Sequence, residues 1–221
     1  MGGSDCEHIG HAFLAQPSNA LSSIAYVVAG MLLVRRAIAR RTGAVLVTYG
    51  VLIAAIGVGS AAYHGPMPTW GRFAHDVSIA AVLAFVVGDE VARARGAPAR
   101  AGFAAFGALL GASAIALAAV PDAGNALDAV LILTAAVGEL MAARSSPGGD
   151  AGARRAWLLG AAALTVGVAL NALGRTDGPL CDPASPMQPH AAWHVLTAFV
   201  LWLYGIAVLE PREQARRIIR A

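Results

Sequence analysis

The sequence predicts an all-α, polytopic membrane protein: a seven transmembrane helix bundle with its N-terminus outside and its C-terminus in the cytosol. Three observations lead there. Of 221 residues, 57% are apolar and only 13% charged, about half the charged share of a soluble domain. Such a chain cannot cover a globule of its size with polar groups, which argues against a soluble enzyme and against disorder. The apolar residues fall into seven runs, each near the roughly 20 residues that cross a bilayer as a helix. Finally, the 16 basic residues are all Arg and divide unevenly between alternate connections.

The first run spans about 19–34 and is closed by Arg35 and Arg36. The second, 42–63, contains no Asp, Glu, Arg or His. The third covers 76–91, with an apolar centre at 77–88. The fourth, 101–120, is free of charge and stops at Pro121. The fifth, 125–143, carries Asp128 and Glu139 near its ends. The sixth is 156–173, and the seventh runs from 189 to 209 and closes at Glu210 and Pro211. Only helices and closed barrels satisfy their backbone in lipid, and these runs are too long and too continuous for barrel strands, which alternate. Ala and Gly are frequent inside them, as where membrane helices approach closely. A buried soluble bundle is the competing possibility. Segment 145–152 (SSPGGDAG) reads as a flexible loop. No connection can hold a second domain, so 1–221 is one domain, with an outer tail at 1–18 and a cytosolic tail at 210–221. The first ten residues lack the basic n-region of a cleavable signal peptide.

Orientation follows from Arg. Fourteen lie on one side, beginning with Arg35, Arg36, Arg40 and Arg41 and ending in the C-terminal tail; only Arg72 and Arg175 lie on the other. The net charge of +3 is scattered between apolar runs and predicts no nucleic-acid partner. Arg in place of Lys, with abundant Ala and Gly, reads as a GC-rich coding bias and points to a bacterial inner membrane. Nothing in the sequence specifies an oligomeric state.

On this topology all six histidines, His8, His11, His64, His75, His190 and His194, fall on the outer side. His190 and His194 stand one helical turn apart on one face, a spacing that suits two ligands of one metal. His64 ends the second span, Ser60 lies one turn deeper, and Asp76 opens the third. All five share one depth, and ionisable groups there default to function. Three neutral imidazoles with an open fourth position would make a catalytic zinc site. Asp76 would then handle the proton of an attacking water, and the Ser60 hydroxyl would donate to the water or the oxyanion. Each residue also has a plainer role: an interfacial histidine, a small residue beside Gly57 and Gly59 at a helix contact, an N-cap at Asp76. His75 is an alternative ligand to His64. Cys6 and Cys181 both lie outside, where an oxidising compartment permits a disulfide; two separate thiols are the alternative.

Cys6 with Glu7, PSNALSSIAY at 17–26, GVGSAAYH at 57–64, Asp76 and HAAWH at 190–194 together resemble the alkaline ceramidase family. This is part of the CREST superfamily of seven-helix membrane hydrolases, which also includes the progestin and adipoQ receptors. The resemblance runs in order through nearly the whole chain. It implies zinc-dependent hydrolysis of an amide in a membrane lipid such as ceramide or another N-acyl lipid, yielding a fatty acid and an amine. It implies His64, His190 and His194 as zinc ligands, Ser60 and Asp76 as the other catalytic residues, and a Cys6–Cys181 disulfide. Eukaryotic members hold Ca2+ in the tail and first helix; Glu7 and Asn19 match that pattern, while Gln16 stands where an acid is expected. The active site would face the outer, periplasmic side. A zinc-dependent lipid esterase or phospholipase-type acyl hydrolase is an alternative, because the same water attack serves esters. So is a zinc-stabilised receptor or scaffold without turnover. A transporter is disfavoured by the lack of charge inside the second and fourth runs.

Overall fold

A computed structural model describes residues 2–144 and 151–218, so most of the predicted loop at 145–152 and the last three residues lie outside it. The described residues form helices and no strands: α1 (Pro17–Ser22), α2 (Ile24–Ala39), α3 (Ala44–His64), α4 (Gly71–Ala94), α5 (Ala99–Ala119), α6 (Gly124–Arg144), α7 (Ala151–Leu173), α8 (Pro189–Tyr204) and α9 (Glu210–Ile218). Six stretches are long and apolar enough to cross a bilayer: Pro17–Ala39, Ala44–His64, Ala99–Ala119, Pro121–Met141, Arg154–Leu173 and Pro189–Ala215. The third expected span is the helix α4. It has 24 residues but carries Asp76 near one end and Asp89, Glu90 and Arg93 near the other, and it is not among the six.

The chain forms two compact units, one of Met1–His75 with Ala151–Ala221, the other of Asp76–Asp150. In the first, α2 and α3 meet along a glycine seam. A Cβ on Gly50 would stand 2.8 Å from the Gly30 carbonyl oxygen, and one on Gly57 would stand 2.8 Å from that of Ser23. Backbones this close exploit the packing route open to helices in lipid, where burial of apolar side chains gives no preference for protein over acyl chain. Leu33, Leu46, Tyr49 and Ile53 fill the core beside the seam with no exposure. In the second unit a Cβ on Gly88 of α4 would stand 2.7 Å from the Gly102 oxygen of α5. There Arg93 lies 3.3 Å from Asp89 and 3.2 Å from Glu139 of α6.

Two helix starts in the first unit are capped from far along the chain. The first N–H groups of a helix have no partner within it, and neither α1 nor α3 has a capping side chain of its own. Glu7 supplies α1, accepting from Ser18 N at 2.7 Å and Asn19 N at 2.9 Å. Glu213 supplies α3, accepting from Val45 N and Leu46 N at 3.1 Å each.

Glu210 and Pro211, expected to end the last span, do not end it. After α8 the chain widens into a π-helical turn, Gly205–Leu209, and continues as α9. A proline cannot donate into the preceding turn, and the wider turn ahead of it lets the helix pass. Glu210 is buried and takes Arg36 at 2.6 Å and Arg40 at 3.1 Å. The expected tail at 210–221 is therefore docked helix as far as Ile218.

Candidate metal centre

His64 closes α3, while His190 and His194 open α8 one turn apart. The i, i+4 spacing aligns the last two, and α1 and α2 hold α3 against α8. The rings converge. Centroids are 5.0 Å apart for His64 and His190, 5.3 Å for His64 and His194, and 4.5 Å for His190 and His194. One nitrogen from each lies within 4.8 Å of the other two. His64 and His194 are buried and His190 is nearly so.

Hydrogen bonding divides the two nitrogens of each ring. His64 Nδ1 meets Gln16 Oε1 at 2.8 Å. The Gln16 amide can face only one way, because its Nε2 donates to the carbonyls of Gly2 at 2.9 Å and Glu7 at 2.8 Å. Its oxygen therefore accepts, and His64 Nδ1 bears the proton. His194 Nδ1 lies 3.2 Å from the Asn19 carbonyl, which can only accept. It also lies 2.8 Å from Ser22 Oγ, whose own proton goes to that same carbonyl. His190 Nδ1 meets Asn171 Oδ1 at 2.9 Å, with Asp5 Oδ1 at 3.8 Å. With Nδ1–H engaged, each ring turns an Nε2 lone pair inward. His64 Nε2 and His190 Nε2 are buried without a hydrogen-bond partner among the described residues, and His194 Nε2 lies 3.4 Å from Ser60 Oγ. An unpaired buried polar atom costs about 1–3 kcal/mol. Two side by side, each with its other nitrogen held by an acceptor, match the arrangement of metal-bound histidines. The donor set, three imidazole nitrogens, suits zinc.

The structure thus brings Ser60, His64, His190 and His194 together. Ser60 Oγ is also 2.9 Å from Ser23 Oγ. His75 is not part of the cluster; its ring stacks on Tyr63 at 4.8 Å, 6.2 Å from His64. Asp76 is the first residue of the second unit, where a Cβ on Gly124, the first residue of α6, would meet its Oδ2 at 3.1 Å. His8 and His11 are exposed in the tail. Glu7 gives both oxygens to the α1 cap, and Asn19 has its side-chain amide buried without a hydrogen-bond partner among the described residues. Ca2+ takes six to eight oxygens. The two side chains named for it fall far short, so calcium does not fit on these residues alone.

Cys6 and Cys181 are joined, with Cα atoms 5.5 Å apart. The tail and the α7–α8 connection are sewn together around this bond. Thr176 N donates to Ser4 O at 3.1 Å, Cys6 N to Thr176 Oγ1 at 3.3 Å, and His8 N to Pro183 O at 3.1 Å.

Gln16, Ser22, Ser23 and Asn171 were not expected at the site. Asn171 carried the only usable signal, a lone amide near the end of an otherwise apolar run. No curated protein matches the chain by sequence. A family model described as Ceramidase matches residues 6–216, nearly the whole length, and the chain belongs to the ceramidase family.

Proposed function

We propose that the protein is an integral membrane zinc amidohydrolase that cleaves the amide bond of an N-acyl lipid, with ceramide as the expected substrate. Family membership makes it a ceramidase-like hydrolase acting on a lipid amide. The observation that carries the rest is the pair of buried Nε2 atoms on His64 and His190 beside His194 Nε2, with every Nδ1 engaged by an oxygen. These three histidines would hold the ion. Bound there, zinc supplies Lewis-acid polarisation of a carbonyl and brings the pKa of a water to about 7.

The chain's own residues do the remainder. Asp76 takes a proton from the attacking water and returns it to the departing nitrogen. The water oxygen bonds to the carbonyl carbon, the C–N bond breaks, and a fatty acid and a free amine leave. Ser60 donates a hydrogen bond to the oxygen on which charge develops. The six apolar helices place the chain in a bilayer. With α4, about 36 Å long at 1.5 Å per residue, they would make seven spans, N-terminus outside and C-terminus in the cytosol, a reading the Arg distribution supports. Apolar side chains such as Val58, Ile115, Leu133 and Leu158, roughly two-thirds exposed, would face acyl chains.

The test uses the purified full chain, its zinc content, and matched amide and ester lipids. Replacing His190 and His194 together by Ala is expected to abolish both bound zinc and amide hydrolysis. Persistence of both overturns the proposal. Ester cleavage with the amide intact would transfer the site to acyl-ester chemistry.

A further inference from the structure

Building on the metal centre proposed above, we infer that Gln16 is a positioning residue of that centre, and that through it the N-terminal tail becomes part of the zinc site. Gln16 occupies the N-cap of α1, a position where a side chain ordinarily bonds the N–H groups of the next two or three residues. Its side chain does not do so. Glu7 does that work on Ser18 and Asn19, and the Gln16 amide is released for another use. It is fully buried and grips His64 twice. Its backbone N–H donates to the His64 carbonyl at 2.9 Å, and its Oε1 accepts the Nδ1 proton at 2.8 Å. Its two amide protons go to Gly2 O and Glu7 O. One amide thus sets the tautomer and plane of His64 and at the same time fastens the stretch of tail that carries Cys6. An acceptor on the far nitrogen raises the basicity of a ligating imidazole and restricts its rotation.

The experiment measures zinc affinity of the full chain in detergent by competition with a chromophoric chelator, and the visible absorption of the Co2+-loaded protein. Gln16→Met, similar in volume but with no strong acceptor, is expected to lose about 10- to 100-fold in zinc affinity and to change the Co2+ spectrum. Gln16→Glu keeps the acceptor and loses the amide protons. It is expected to stay within about threefold of native affinity, while the amides of residues 2–7 exchange faster with solvent. His64→Ala separates the two levels of inference. Retention of native zinc affinity in His64→Ala overturns the metal centre itself. Loss in His64→Ala with native affinity in Gln16→Met overturns the role of Gln16 alone. A tenfold loss in Gln16→Glu overturns it as well, because the acceptor on His64 Nδ1 would then not be what sets the affinity. If Gln16→Met is not recovered with its disulfide and native elution, Gln16→Glu decides alone.

Discussion

Each histidine of the centre has one nitrogen tied to an oxygen and one turned toward its neighbours, and that division is what converts a cluster into a site. The histidines themselves are legible in the sequence, because two stand at helical spacing and the third ends a span at the same depth. Their partners are not. Gln16, Asn171 and Ser22 lie 48, 19 and 172 residues from the histidines they hold. No periodicity links such pairs; only the packed fold does. Gln16 illustrates the difficulty, since it looks like a defective calcium ligand until its amide is seen against His64. The proposed mechanism assigns Asp76 to chemistry and not to ligation, which predicts a separation of effects. Asp76→Asn should leave bound zinc unchanged and reduce amide hydrolysis by about 10²- to 10⁴-fold. Zinc analysis beside product formation on one preparation checks this, and full turnover in the variant would remove Asp76 from the mechanism.

At the scale of elements, the spans are well marked in the sequence and their ends are not. Apolar composition reports what a helix body can face, whereas an end depends on whichever group satisfies its last backbone donors or acceptors. Glu210 and Pro211 have the composition of a stop, yet Arg36 and Arg40 neutralise the acid and a π-turn accommodates the proline, so the helix continues. The start of α3 depends on the same docked helix through Glu213. Loss of a capping group costs about 0.5–2 kcal/mol, and one kcal/mol moves the midpoint of a chain this size by about 2–4 °C. Glu213→Ala should lower the thermal midpoint by about that much without altering zinc content. A midpoint equal to native would show that α9 does not stabilise α3.

For the whole molecule, the all-helical, membrane-spanning character was readable because it rests on summed quantities, namely apolar fraction and segment length, which tolerate local error. The helix α4 is where summation is weakest, with an apolar centre between charged ends. It decides the parity of the bundle, since six spans would put both termini on one side and seven would separate them. Reporters fused to each terminus should therefore read opposite compartments, with the C-terminus cytosolic. Both reporting the same side would exclude α4 as a span. The sequence carried no sign of two compact units, because the division reflects which helices pack tightly and not where the composition changes.

The Cys6–Cys181 bond gives the centre a chemical history. Cys6 lies ten residues ahead of Gln16, and Cys181 lies nine ahead of His190, so the two linked segments each lead directly into one side of the histidine cluster. Newly made chains whose thiols remain reduced lack the covalent tie that brings the tail over the α7–α8 connection, and with it part of the support for His64. On the proposed function, thiol oxidation would be a step in maturation, and the redox state of the compartment would matter to the centre alongside its zinc supply.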